Sequence, residues 1–324
     1  MIHMKALFAA GLIATGLGVA SHASADPLKI LTVGDSITAG VGSTHGAGYR
    51  LPLQNLLLGA GVDFEFVGTQ SGPGTPVPTL SNSSPMQTAH EGYPGARINA
   101  GSNSLFDHLG FDWVSNAPVT DNTVFDTLAA NGDTPDVILL MIGTNDFNPT
   151  TSTNINPQHF ALRQLLMGLE AELSDPAYAN TKLLIAQIID KPGALNNGSS
   201  EADKDKVRIG NDNIDTFNNT IMPNEIAGRS TAFQNATTMI AMPTVAQWVT
   251  DINYLSGGNP ETTQIANLTY MDPDGIHPND TGYNVMAQTW FGAIDSIGLI
   301  PEPGTAVLLM AGTMLLASRR KKIV

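Results

Sequence analysis

The sequence predicts an α/β fold, a mainly parallel sheet with helices packed on both of its faces. Three observations predict it. Short, unbroken apolar runs recur along the chain, stretches with helical apolar spacing lie between them, and polar, glycine-containing motifs fall where the runs end. A strand buried on both faces reads as a continuous apolar run rather than an alternation. Sites in such sheets form beyond the carboxyl ends of the strands.

The elements follow in order. Lys29 to Val33 is an apolar run that stops at Gly34, as a buried strand does. Tyr49 to Leu58 reads as a helix, with Leu51, Leu53, Leu56 and Leu57 along one side. Asp63 to Val67 is a second strand closed by Gly68. Clustered Gly, Pro, Ser and Asn predict a long loop over residues 70–90, and residues 100–135 read as an irregular insertion with one helical piece. Asp136 to Ile142 is the clearest strand, Pro157 to Leu173 a helix, and Leu183 to Ile189 the next strand. Asp203 to Ile221 reads as a helix and Thr238 to Ala241 as a short strand. The last helix, Asn279 to Ile297, carries Val285, Met286, Trp290, Ile294 and Ile297. No repeat, heptad pattern or linker interrupts the series, so residues 26–300 are expected to form one domain.

The two ends are of another kind. Residues 1–25 read as a secretory signal peptide: Lys5 opens it, Ala6 to Ala20 is mostly apolar, and Ala23-Ser24-Ala25 is a small-residue cleavage site. At the other end Pro301-Glu302-Pro303-Gly304 precedes an apolar run from Thr305 to Ala317 and a basic close, Arg319-Arg320-Lys321-Lys322. That run is short beside the ~20 residues of a comfortable membrane span, and the basic cluster fits a cytoplasmic stop. The chain carries 15 basic and 29 acidic residues, a net charge of −14, and five of the basic residues lie in these ends. So acidic a body argues against nucleic acid and anionic lipid as partners. Cysteine is absent, which excludes a disulfide framework. No metal site is expected, since Asp203 and Asp205 alternate with Lys204 and Lys206 as at a solvated helix start. Gly40-x-Gly42 lacks the ending of a phosphate loop.

The chemistry is carried by two distant stretches. Gly34-Asp35-Ser36 follows the first strand, and Asp274-Gly275-Ile276-His277 precedes the last helix. A serine hydroxyl is a weak nucleophile until a base takes its proton, and an acid beside that base fixes its tautomer. Taken singly, a serine after a strand is usually only a turn or helix cap, and Asn145 has the other reading of a turn residue closing the third strand. No cofactor is required for such chemistry.

Four motifs appear in order: G-D-S-I-T-A-G from Gly34, G-Y-P-G from Gly92, G-T-N-D from Gly143 and D-G-I-H-P-N from Asp274. In that order the chain resembles the SGNH hydrolases, also called the GDSL family. The resemblance implies a flavodoxin-like, three-layer α/β/α sandwich. It implies Ser36 as nucleophile and Asp274 and His277 as its partners. It further implies an oxyanion hole from the N–H groups of Ser36 and Gly95 and the side chain of Asn145. Gly40-x-Gly42-Ser43, Gly48-Tyr49-Arg50, Val67-Gly68-Thr69 and His90-Glu91-Gly92-Tyr93-Pro94-Gly95 resemble carbohydrate esterase family 3, which contains acetylxylan esterases. That implies removal of acetyl or short acyl groups from an acylated carbohydrate. Pro94 stands where a serine is common in that family and Ala96 where an aromatic is frequent, so the sugar contacts beside Gly95 differ. The tail resembles the PEP-CTERM sorting signal of Gram-negative bacteria. It implies a membrane sortase as partner and a location at the cell surface, in the periplasm or in the extracellular matrix; a permanent anchor is the alternative.

Around the motifs, Tyr49, Tyr93 and Phe147 are candidates for a sugar platform or for packing. Arg97 and Arg50 are candidates for binding a carboxylate or sugar hydroxyls, with pairing of Arg50 to Asp35 as the other reading. His90 and Glu91 are rim groups or solvated loop residues, and Asp146 is expected to shape the Asn145 loop. Two rival functions stay open at this point: a lipase or lysophospholipase of the same family, and a surface carbohydrate-binding protein with a disused site.

Overall fold

The computed structural model describes residues 26–300, apart from 100, 102, 115–116, 194, 197 and 244–248. The leader and tail expected from the sequence lie outside the described residues. Strand β1 (Leu28–Gly34) leads through a one-turn helix α1 (Ser36–Ala39) to α2 (Arg50–Gly59). Strands β2 (Phe64–Val67), β3 (Gln70–Ser71) and β4 (Ala89–Gly92) follow. The region expected to be irregular holds α3 (Leu105–His108), a small hairpin of β5 (Asp112–Val114) and β6 (Ala117–Val119), and α4 (Val124–Asn131). Then come β7 (Val137–Met141), α5 (Asn156–Leu173), β8 (Lys182–Ala186), α6 (Glu201–Thr216), α7 (Met222–Ala227), α8 (Thr231–Ala236) and β9 (Thr237–Ile240). A hairpin of β10 (Val249–Ser256) and β11 (Asn259–Ala266) precedes α9 (Asp280–Ser296).

The main sheet runs β3-β4-β1-β7-β8-β9, with β2 also paired to β1. All its pairings are parallel except β3 with β4. β1 shares one edge between two neighbours: β2 pairs with Leu28 to Leu31, and β4 takes over at Val33 and Gly34. The motif-bearing end of β1 is therefore flanked by β4 on one side and β7 on the other.

Successive strand residues point to opposite faces, so a two-sided strand feeds two cores. In β7, Val137, Leu139 and Met141 join Ile30, Leu184 and the apolar sides of α2 and α9, including Leu53, Leu57, Met286, Trp290 and Ile294. Ile138 and Leu140 join Leu31, Val33, Leu183 and Ile185 under α5, whose Leu162, Leu165, Leu166 and Leu169 face them. These helices and the sheet form the three-layer α/β/α sandwich expected. The long helix expected from Asp203 to Ile221 ends at Thr216 and passes through a wide π turn, Phe217–Ile221, into α7. The strand expected to reach Ile189 ends at Ala186.

The β10–β11 hairpin was not anticipated from the sequence. It closes on Gly257 and Gly258, both with positive φ, in a two-residue loop between the paired Ser256 and Asn259. It rests on α6, where Thr263 Oγ1 donates to the Lys204 carbonyl at 3.1 Å and Asn211 Nδ2 to Gln264 Oε1 at 2.6 Å. Among the described residues no helix is long and apolar enough to cross a membrane.

Candidate active site

The site gathers where β1, β4 and β7 end. Gly34 closes β1, and no other residue fits there: a Cβ would lie 2.1 Å from the Met141 carbonyl oxygen of β7. The close approach sets Ser36 at the start of α1, with Asp35 as the cap. Asp35 Oδ1 accepts from the Ile37 N–H at 3.0 Å. Burial pushes the Asp35 carboxyl up to about 6, against the pull of the Ile37 N–H, Thr144, His277 and Lys191.

The Asp274–His277 loop meets Ser36 from the far end of the chain. His277 Nε2 lies 2.8 Å from Ser36 Oγ, and His277 Nδ1 lies 2.6 Å from Asp274 Oδ2. The same carboxylate folds its own loop: Asp274 Oδ1 accepts from the N–H groups of Ile276 at 2.8 Å and His277 at 3.0 Å. Burial raises the Asp274 carboxyl, but these hydrogen bonds and the His277 side chain outweigh it, so its pKa is held below the usual value. An ionised carboxylate at Nδ1 selects the tautomer with the proton on that nitrogen, leaving Nε2 to accept from the serine hydroxyl. Asn279 caps α9 directly after the loop by accepting from the Thr281 and Gly282 N–H groups. Two glycines let neighbouring backbone approach. A Cβ on Gly275 would sit 1.7 Å from the Gly193 carbonyl oxygen, and one on Gly42 would sit 2.7 Å from His277 Cβ.

Asn145 stands in the 3₁₀ turn Thr144–Asp146 beyond β7. Its Nδ2 donates one hydrogen to the Ala96 carbonyl at 2.9 Å, and the amide carries a second. Gly95 is the third residue of the turn closed by the Ala96 N–H to the Tyr93 carbonyl at 3.0 Å, with φ +79°. Pro followed by Gly at the centre of a turn favours that geometry. The Tyr93 N–H donates to the Gly34 carbonyl at 2.9 Å, so the Gly95 turn is hung from the end of β1. Asp146 Oδ2 accepts from the Ile98 N–H at 3.0 Å. It thus braces the Asn145 turn against the Gly95 turn, the shaping role expected of it. Burial pushes the Asp146 carboxyl up to about 7, with the Ile98 N–H, Arg97 and Lys191 drawing it down.

Several neighbouring candidates are placed elsewhere. Tyr49 is fully buried, its ring 6.0 Å from that of Trp290 and its hydroxyl 3.2 Å from Thr38 Oγ1. Phe147 is buried with its ring edge-on to Phe217. Neither offers a face to a sugar, because each fills one of the two cores. Tyr93 is half-buried, stacked on His108 at 4.0 Å, with its hydroxyl donated to Glu91. Arg97 is exposed beside the Gly95 turn.

Arg50 does not pair with Asp35. It is fully buried and donates to four backbone carbonyls: Thr38 (3.1 Å), Ala39 (3.1 Å), Gly72 (2.7 Å) and Thr88 (3.2 Å). His90 and Glu91 are buried rather than solvated. His90 Nδ1 accepts from the Gly92 N–H at 2.8 Å, and burial with the nearby Arg50 charge pushes its pKa down to about 3. Glu91 accepts from the Thr69 N–H and the Tyr93 hydroxyl. The motif residues beside the site thus build its wall.

Lys191 was missed in the sequence. A lysine between Asp190 and Pro192 looks like a solvated loop residue, and only the folded chain shows it buried against the Asn145 turn. Among the described residues no group of three or more His, Cys, Asp or Glu is placed to hold a metal ion.

Residues 30–290 match the family described as GDSL-like Lipase/Acylhydrolase. Among solved structures, a family 3 carbohydrate esterase of Clostridium thermocellum is similar at 22% identity, covering 85% of this chain and 100% of its own, with a TM-score of 0.48. An acetyl esterase variant solved with an acetate ion is similar at 17% identity, covering 83% of this chain and 97% of its own, with a TM-score of 0.49. A GDSL-like lipase of Bacteroides thetaiotaomicron is similar at 14% identity, covering 83% and 89%, with a TM-score of 0.41. No curated protein matches. With its family motifs in order and gathered at one end of a parallel sheet, the chain belongs to the GDSL-like lipase/acylhydrolase family.

Proposed function

We propose that this acylhydrolase is an exported serine esterase that removes acetyl or short acyl groups from a polysaccharide or oligosaccharide. The observation that carries the catalytic part is the continuous path from Ser36 Oγ through His277, 2.8 Å and 2.6 Å long in its two hydrogen bonds, to Asp274. Ser36 Oγ attacks the ester carbonyl carbon while His277 Nε2 takes the hydroxyl proton. The resulting oxyanion is held by the N–H groups of Ser36 and Gly95 and the free amide hydrogen of Asn145. The carbon–oxygen bond to the sugar breaks as His277 returns its proton to the departing hydroxyl. Water then attacks the acyl-enzyme, with His277 as base, and releases the carboxylic acid and free Ser36.

The sugar ester as substrate rests on the carbohydrate esterase family 3 wording of the motifs and on the acidic body, which suits neutral substrates better than anionic surfaces. Export rests on the signal-peptide pattern of residues 1–25, and surface sorting by a membrane sortase on the tail from Pro301.

Acetate release from a panel of acetylated glycans tests this reading, with p-nitrophenyl esters of rising chain length alongside. Ser36→Ala is expected to abolish turnover of p-nitrophenyl acetate and leave the circular dichroism spectrum unchanged. Preference for long acyl chains would point instead to a lipase-type enzyme. Glycan binding with no hydrolysis would point to a binding protein.

A further inference from the structure

One buried cation lies beneath the turn that carries Asn145 and has no part in the mechanism above. Lys191 is 5% exposed. Its Nζ donates to the Thr144 carbonyl at 2.7 Å and to Asn148 Oδ1 at 3.2 Å. Those two acceptors bracket Asn145, Asp146 and Phe147, so a single ammonium pins both ends of the turn. The lysine is itself fixed, because Asn211 Oδ1 on α6 accepts from its backbone N–H at 3.0 Å.

The charges around it are arranged to keep it there. A lone buried ammonium is costly unless hydrogen-bonded and opposed by negative charge. Asp35, one residue before Ser36, and Asp146, one residue after Asn145, both favour the charged form of Lys191, while Arg97 opposes it. Burial is the larger influence and draws its pKa down to about 8. The lysine is thus electrically linked to the two turns whose spacing sets where an oxyanion would sit. A shift of about 1 Å in such a donor can cost on the order of a hundredfold in rate.

We propose that Lys191 is a positioning residue for the oxyanion hole, holding the amide of Asn145 at the distance from Ser36 that the tetrahedral oxyanion requires. This rests on the serine esterase reading. It adds to that reading a residue outside every family motif in the sequence, acting through Asn145 and touching no substrate.

A double-mutant cycle on the full chain with p-nitrophenyl acetate tests it. Lys191→Met keeps the side-chain volume and removes the charge and donors. It is expected to lower kcat about 10- to 100-fold with KM within about twofold. In an Asn145→Ala background the same substitution should cost at least about threefold less, because the group it positions is gone. An unchanged kcat in Lys191→Met, or the same loss in both backgrounds, would overturn the proposal and leave a merely structural lysine. If Lys191→Met fails to fold by circular dichroism, Lys191→Gln enters the same cycle with the same criterion, and its failure to fold would also assign the lysine to stability alone. Wild-type turnover that survives Ser36→Ala would sink the esterase reading itself, and this proposal with it.

Discussion

Ser36 and His277 meet across 2.8 Å, but the chain holds them in different ways. The Ser36 side is set into the body of the protein. Gly34, Asp35, Thr38, Arg50, His90 and Glu91 are all buried, and β1, β4 and β7 pass their hydrogen bonds up to the turn. The His277 side is a loop whose Asp274 side chain is 41% exposed. It is held mostly by hydrogen bonds within the loop, by the Met271–Pro278 bridge and by the cap at Asn279, with one tie from outside, the Gly193 N–H to the Gly275 carbonyl at 3.0 Å. The position of Ser36 is part of the fold, whereas His277 is placed by a largely local scaffold. Damage to the buried residues that seat Ser36 should therefore appear as lost stability, and damage to the Asp274–His277 loop as lost rate in a folded protein.

The sharpest test of that contrast is Asp274→Asn. It removes the charge opposite His277 Nδ1 and favours the wrong tautomer, so kcat/KM should fall about 10²- to 10⁴-fold. The carboxamide oxygen can still accept from the Ile276 and His277 N–H groups, so the melting temperature should move by only a few degrees. A large drop in melting temperature would erase the distinction between the two sides.

Arg50→Met tests the other side. It removes the guanidinium donors from four carbonyls, of which that of Thr88 keeps the Gly72 N–H. Unfolding in denaturant should show a loss of about 3–5 kcal/mol. Any protein that stays folded should keep a KM close to wild type. Wild-type stability would show that the guanidinium does not hold this wall.

A smaller effect is expected from His90. Burial, then the Arg50 charge, holds its pKa near 3 in the folded state, against about 6.5 unfolded. Between those values the unfolded chain binds a proton that the folded chain refuses, so this residue costs stability as pH falls from 6.5 towards 3. The raised carboxyls of Asp35, Asp146 and Glu172 act in the opposite sense, favouring the folded state as pH falls towards 4. The comparison must therefore be with His90→Asn, whose carbonyl oxygen can still accept from the Gly92 N–H. From pH 7 to pH 4 the wild type should lose on the order of 2–3 kcal/mol relative to the variant. Equal pH slopes would show that His90 is solvated or already charged.

What the sequence disclosed follows the same division. β1, β7 and β8 were legible because a strand buried on both faces has to be continuously apolar. The four family motifs were legible because the residues of each one are contiguous in the chain. The wall of the site was not, since Arg50, His90 and Glu91 are residue types that usually face water. Arg50 is satisfied by carbonyls of α1 and of the segment between β3 and β4, and Glu91 by Thr69 and Tyr93. Tyr49 stayed open between platform and packing for the same reason: Trp290, against which its ring packs, is more than two hundred residues away in the chain. In the β10–β11 hairpin, β11 is largely polar, with Pro260 in it, and no apolar alternation marks it. Gly257-Gly258 was the one available signal for its turn.

The proposed function rests on acylation of Ser36, activated by His277 and Asp274. Intact-mass and peptide mass spectrometry after exposure to a p-nitrophenyl alkylphosphonate tests this most directly, since the reagent is trapped by an activated serine. One adduct per chain is expected, on Ser36, slowed strongly by His277→Ala and absent in Ser36→Ala. An adduct on another residue, or labelling of Ser36 that proceeds equally fast without His277, would contradict it.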